Sequence, residues 1–116
     1  MITVLIAVAG GLGAGSRYGL DLWLRPRVSD VLPWSTLLIN VTGSFALGLL
    51  VGAGSGNDLH TIVGTGFLGG YTTFSTASVE TVRLAIDRRH AAAAVNALAM
   101  LALSVAAAAG GFALTT

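Results

Sequence analysis

The sequence predicts an all-α membrane protein of four transmembrane helices, the third of them broken mid-membrane. Three observations predict it. Only 9% of the 116 residues are charged and 54% are hydrophobic, against about 25% charged in an average soluble domain. Four segments each approach the roughly 20 mostly apolar residues that a helix needs to cross the hydrocarbon core. Between two apolar runs lies Gly70-Tyr71-Thr72-Thr73-Phe74-Ser75-Thr76-Ala77-Ser78, with five hydroxyl side chains in the seven positions from Thr72 on. That stretch is a poor helix.

The first span is expected at 2–24, apolar from Ile2 and ending in Ser16-Arg17-Tyr18-Gly19-Leu20-Asp21. No Arg or Lys precedes Ile2, whereas a secretory signal opens on a basic region, so the segment reads as a retained span. The loop Arg25-Pro26-Arg27-Val28-Ser29-Asp30 follows. The second span is expected at 33–53, with Pro33 near the helix start, where its missing N–H costs nothing. Gly54-Ser55-Gly56-Asn57-Asp58 is a turn by composition. The third span is expected at 60–86 and the fourth at 91–114, separated by Asp87-Arg88-Arg89-His90. With loops this short, residues 1–116 form one transmembrane domain.

Small residues recur at helical spacing. Gly11, Gly15 and Gly19 form one ridge, and Ser44, Gly48, Gly52 and Gly56 another. Lipid tails do not drive helices together, so close backbone approach over small residues is a main source of contact. Four thin helices enclose little volume, so a solute pathway calls for a second copy. Arg25, Arg27, Arg88 and Arg89 fall on one side of a four-span chain, and the Arg-free termini on the other. The positive-inside tendency then puts the two Arg loops in the cytoplasm. Trp23 and Trp34 flank the first of them as interfacial anchors.

Several function classes drop out. A net charge of +1, with six Arg, no Lys, four Asp and one Glu, supplies no basic face for nucleic acid. Without Cys there is no disulfide and no thiolate metal site. Gly64-Thr65-Gly66-Phe67-Leu68-Gly69 fits a dinucleotide fingerprint, but that reading needs a preceding strand and a βαβ unit. His60 and His90 lack metal-ligand spacing, and neither a catalytic triad nor a paired-carboxylate site can be assembled. Enzymatic chemistry is not expected.

The chemistry concentrates around 64–78. Glycine costs up to about 1 kcal/mol per helical position relative to Ala, and Ser and Thr compete for backbone bonds. Backbone that leaves the helix at membrane depth survives only where it is buried in protein or lines a wet cavity. Broken helices are a recurrent way to build ion sites, since freed carbonyls face cations and freed N–H groups face anions. The other polar candidates are Asn40 in the second span and Asn96 and Ser104 on one face of the fourth. The edge of the Phe74 ring carries partial positive charge and can help solvate a small anion. Arg17 and Asp21, four apart, are expected to pair, and Glu80 and Arg83 likewise. Arg17 could also raise the positive potential at an anion entrance.

Three segments then resemble the small bacterial CrcB/Fluc fluoride channels. They are Gly10-Gly11-Leu12-Gly13-Ala14-Gly15-Ser16-Arg17-Tyr18, Thr36-Leu37-Leu38-Ile39-Asn40-Val41-Thr42-Gly43-Ser44-Phe45, and Gly66-Phe67-Leu68-Gly69-Gly70-Tyr71-Thr72-Thr73-Phe74-Ser75-Thr76 followed by Glu80. The resemblance implies an antiparallel, dual-topology dimer in the plasma membrane with two narrow fluoride pores. Asn40, Phe74 and Ser75 fall on pore positions, with Thr76 beside them and Ser104 matching on the fourth helix. Backbone carbonyls at Gly69 and Thr72 would hold a structural Na⁺ at the dimer centre. The implied task is passive export of cytoplasmic fluoride, which reduces its toxicity.

Two departures from the family pattern stand out. A second pore phenylalanine is expected three positions after Phe74, and Ala77 stands there. The Arg bias fixes an orientation that a dual-topology chain should not have. Together they leave a paralogous heterodimer open beside the homodimer. Two rivals complete the expectations. A small proton-coupled multidrug transporter needs an embedded Glu in the first span, where no acid precedes Asp21. A non-conducting structural subunit is argued for by Ala77.

Overall fold

Apolar runs free of internal proline become helix almost end to end. In the computed structural model, which describes residues 1–28, 33–54 and 57–116, α1 spans Ile2–Leu24 and ends in a 3₁₀ turn at Arg25–Arg27 containing Pro26. Helix α2 spans Trp34–Gly52, starting directly after Pro33. The third segment is divided into α3 at Asp58–Thr61, a π-helix at Ile62–Leu68, α4 at Gly69–Tyr71 and α5 at Phe74–Ile86. Helix α6 runs His90–Thr115. Residues 29–32 and 55–56 lie outside the described residues, and with them part of the first Arg loop, part of the 54–58 turn and the Gly56 end of the second small-residue ridge.

These bounds fall within a few residues of the expected spans. No strand occurs among the described residues, so Gly64 to Gly69 sit inside helix and have no dinucleotide-binding context. Helices α2 and α6 are long and apolar enough to cross a membrane. At about 1.5 Å per residue, α2 alone covers nearly 30 Å, close to the thickness of a hydrocarbon core.

Polarity runs opposite to that of a soluble domain. Leu98, Leu101, Val4 and Val8 are exposed, whereas Ser35, Thr36, Asn40, Thr73 and Asn96 are buried. In hydrocarbon that is the stable arrangement: apolar side chains meet lipid, and polar ones satisfy each other inside.

The first small-residue ridge is a correction. Side chains built on Gly11, Gly15 or Gly19 would meet nothing within 4 Å. Helix α1 instead packs on the π-helix and α4 through its other face, where Gly13 abuts the Phe67 carbonyl and Gly10 the backbone of Gly70. A Cβ on Gly66 would come within 2.9 Å of the Ala9 side chain and 3.0 Å of the Ile6 carbonyl. The second ridge does pack. Gly48 lies against the Ala108 carbonyl, and Gly111 against the Phe45 carbonyl of α2. Here two helix backbones touch, and Thr115 Oγ1 donates to Leu49 O at 2.9 Å.

The turn from α5 to α6 closes on Arg88, which takes a left-handed φ of 59°. Its N–H reaches Ala85 O and that of Arg89 reaches Leu84 O, at 3.1 and 2.8 Å. This is a Schellman closure with Arg where glycine is usual.

Candidate functional site

The site begins where helix α4 stops. Thr72 and Thr73 are extended, with φ/ψ of −78/157° and −145/117°. In a continuous helix the Thr73 N–H would bond to Gly69 O, and the Thr76 N–H to Thr72 O. Neither does so. Thr73 N–H donates to Asn40 Oδ1 at 2.8 Å, and Asn40 Nδ2 donates back to Thr73 O at 2.9 Å. Thr76 N–H goes to Thr73 Oγ1 at 3.1 Å, which makes Thr73 the N-cap of α5. A buried carboxamide and a hydroxyl thus replace two helical acceptors, and the carbonyls of Gly69 and Thr72 lose their helical donors. The neighbouring Gly70 carbonyl accepts from Arg17 Nε at 3.3 Å.

Arg17 therefore ties α1 to the break rather than pairing with Asp21. Asp21 is taken by the end of its own helix and the start of the next, accepting from Arg25 Nε at 2.8 Å and from the Ser35 hydroxyl. Glu80 likewise turns away from Arg83. It accepts from the Thr36 hydroxyl and stands 3.7 Å from an Arg25 nitrogen. The Arg25 pKa is raised, first by its hydrogen bond to Asp21. Together these contacts knot α1, α2 and α5 at one end of the bundle.

The predicted pore and Na⁺ residues divide among three grooves. Asn40, Phe74 and Ser104 line one of about 570 Å³, together with Ser44, Thr72, Thr73, Ala77 and Met100. Ser75 and Thr76 line another of about 280 Å³ with Arg25, Glu80 and Arg83. Gly69 and Thr72 meet a third, of about 510 Å³, beside the π-helix. The Phe74 ring is 88% exposed, whereas Ala77 is buried in the wall of the first groove. Ser104 Oγ is buried with no hydrogen-bond partner among the described residues. Asn96 does not join Ser104, although the two lie on one helix face. It donates to Thr81 Oγ1 at 2.7 Å, inside the α5–α6 contact.

Sequence reasoning missed three parts of this arrangement. Thr73 carried an N-cap signal, a Thr directly before a resumed helix with Thr76 three positions on. Thr36 carried none, since its partner is 44 positions away. Met100, whose Sδ lies 3.3 Å from Asn40 Nδ2, reads in sequence as an ordinary packing residue.

Residues 4–112 match the profile of a family described as CrcB-like protein, Camphor Resistance (CrcB). The chain belongs to the CrcB family. It is similar to the fluoride-specific ion channel FluC 1 of Leifsonia xyli subsp. xyli, with 48% identity over 93% of this chain and 82% of the relative. It is also similar to FluC 2 of Cutibacterium acnes, with 44% identity over 98% and 97% of the two chains. The fluoride-specific ion channel FluC of Syntrophotalea carbinolica is 43% identical over 90% of this chain and 89% of its own. Membership of this family, with these apolar helices, makes the chain a membrane protein. Nothing in these relatives points to a multidrug transporter.

Proposed function

We propose that the chain is one subunit of a fluoride-selective channel that crosses the plasma membrane four times and lets cytoplasmic fluoride leave passively, lowering its toxicity. One observation carries the reading. At the break, side chains take over main-chain hydrogen bonds, and the groove beside it holds polar donors in an otherwise apolar bundle. An anion losing water needs replacement donors, since bare charge in low dielectric costs many kcal/mol. Asn40, Ser104, Ser75 and Thr76 offer amide and hydroxyl donors, and Phe74 offers a ring edge. Small hydroxyl and amide donors suit a small, strongly hydrated anion better than a large one.

A single chain leaves the Phe74 ring exposed and its donors in separate grooves, which favours an antiparallel dimer with pores formed between subunits. Na⁺ fits the centre of that dimer. The Gly69 and Thr72 carbonyls are neutral oxygen ligands released from helical bonding, the kind of donor that unwound backbone offers to Na⁺. One chain supplies two such oxygens, and the matching pair of its partner would complete the set, pinning the two breaks together. Arg17, held on the Gly70 carbonyl, keeps α4 in register with α1 and adds positive potential on that side of the break.

Ala77 and the Arg bias favour a second form of the same reading, in which the antiparallel partner is a paralogue. Ala77 is buried where the resemblance calls for a second ring, so both symmetry-equivalent pores of a homodimer would lack part of their lining, whereas a paralogue could supply a ring that this chain does not.

The test is fluoride release from liposomes holding the purified chain, read with a fluoride electrode, with chloride release in parallel. The expected result is fluoride release with chloride retained. Release only when an oppositely oriented paralogue is co-reconstituted assigns the heterodimer. Equal release of both anions, or of neither under either condition, contradicts the proposal.

A further inference from the structure

Asn40 carries one donor more than the break requires. Its Oδ1 and one N–H are committed to Thr73, and this two-armed contact fixes which way the amide faces, because a flipped amide would oppose N–H to N–H. The remaining N–H points to Met100 Sδ at 3.3 Å. A thioether is a weak acceptor, on an unbranched side chain with three rotatable bonds that adapts readily to its surroundings. Met100 and Ser104 stand four apart on α6, hence one turn apart on one face. Both line the groove of about 570 Å³. The Ser104 hydroxyl, buried without a partner among the described residues, is a second donor beside the first.

Building on the channel reading above, we propose that Met100 is a placeholder acceptor that occupies the free Asn40 N–H until an anion displaces it. A buried N–H left without any acceptor is costly, so the thioether holds the amide in position while the groove is empty. A hydrogen bond to an ion is roughly twice as strong as one between neutral groups, so an entering anion outcompetes sulfur for the N–H. Met100 then swings aside, and Asn40 and Ser104 face the ion together. Met100 is a positioning residue, and its exchange with the anion sets how readily the groove fills.

Two substitutions test this with opposite expected signs. Met100→Leu conserves volume and removes the acceptor. At fluoride concentrations well below saturation, release from liposomes should rise about two- to tenfold, the range spanned by one net hydrogen bond. Met100→Gln supplies a strong carbonyl acceptor and should slow release by a similar factor. A purely structural role predicts slowing in both variants. The Leu variant decides the matter alone if the Gln variant does not fold. Release by Met100→Leu equal to or slower than wild type overturns the placeholder role while leaving the channel reading in place. A wild-type chain inert with or without a paralogue overturns the channel reading and this inference together.

Discussion

The seam between α2 and α6 and the segment from Gly69 to Thr76 use small residues in opposite ways. At the seam, Gly48 and Gly111 bring two helix backbones into contact while both helices stay regular. Around the break, Gly70 also lies against a neighbouring helix backbone, but main-chain bonds there are handed to Asn40, Thr73 and Arg17. Glycine lets helices approach and does not by itself interrupt them. The interruption comes from side chains that compete for particular N–H and C=O groups.

That contrast can be broken from either side. The largest effect is expected for Asn40→Leu, which strands both the N–H and the C=O of buried Thr73. Each stranded group costs about 1–3 kcal/mol, so thermal unfolding in detergent should show a loss of about 2–6 kcal/mol, with fluoride release at background. Gly48→Val drives a side chain into the Ala108 carbonyl and should cost about 1–3 kcal/mol. It should loosen the seam while leaving the Asn40–Thr73 pairing intact, which amide exchange at Thr73 would report. The smallest effect belongs to Gly15→Ala, where the chain offers open space. Within one subunit the change should stabilise by no more than about 1 kcal/mol, the difference in helix propensity. A net loss in the reconstituted assembly would place a second subunit on that face.

Much of the fold was legible because apolar length is a strong signal. The helix bounds were readable from Ile2, Pro33 and the Asp87 to His90 turn, and Gly48 and Gly52 could be picked out by spacing. The ridge of Gly11, Gly15 and Gly19 misled because spacing identifies a face without saying whether anything packs on it. The π-helix at Ile62–Leu68 was not legible either. Its Gly66 answers to Ile6 and Ala9 on α1 and its Gly64 to Leu47 and Leu50 on α2, contacts that local composition does not encode. Pairings failed for the same reason. Sequence distance favoured Arg17 with Asp21 and Glu80 with Arg83, whereas the folded chain offers Gly70, Ser35, Thr36 and Arg25 as partners. Asn40 and the hydroxyl run stood out because polar groups are rare in an apolar span. Their joint work on Thr73 required the third dimension.

Asn40 and the Thr73 hydroxyl, rather than the helix itself, hold the N–H groups of Thr73 and Thr76 and the carbonyl of Thr73. Solid-state NMR of the labelled chain in lipid bilayers tests this directly. The account predicts extended backbone shifts at Thr72 and Thr73, with a through-space contact between the Thr73 amide and the Asn40 side chain. Helical shifts across both residues, with the Thr73 amide bonded to the Gly69 carbonyl, would contradict it.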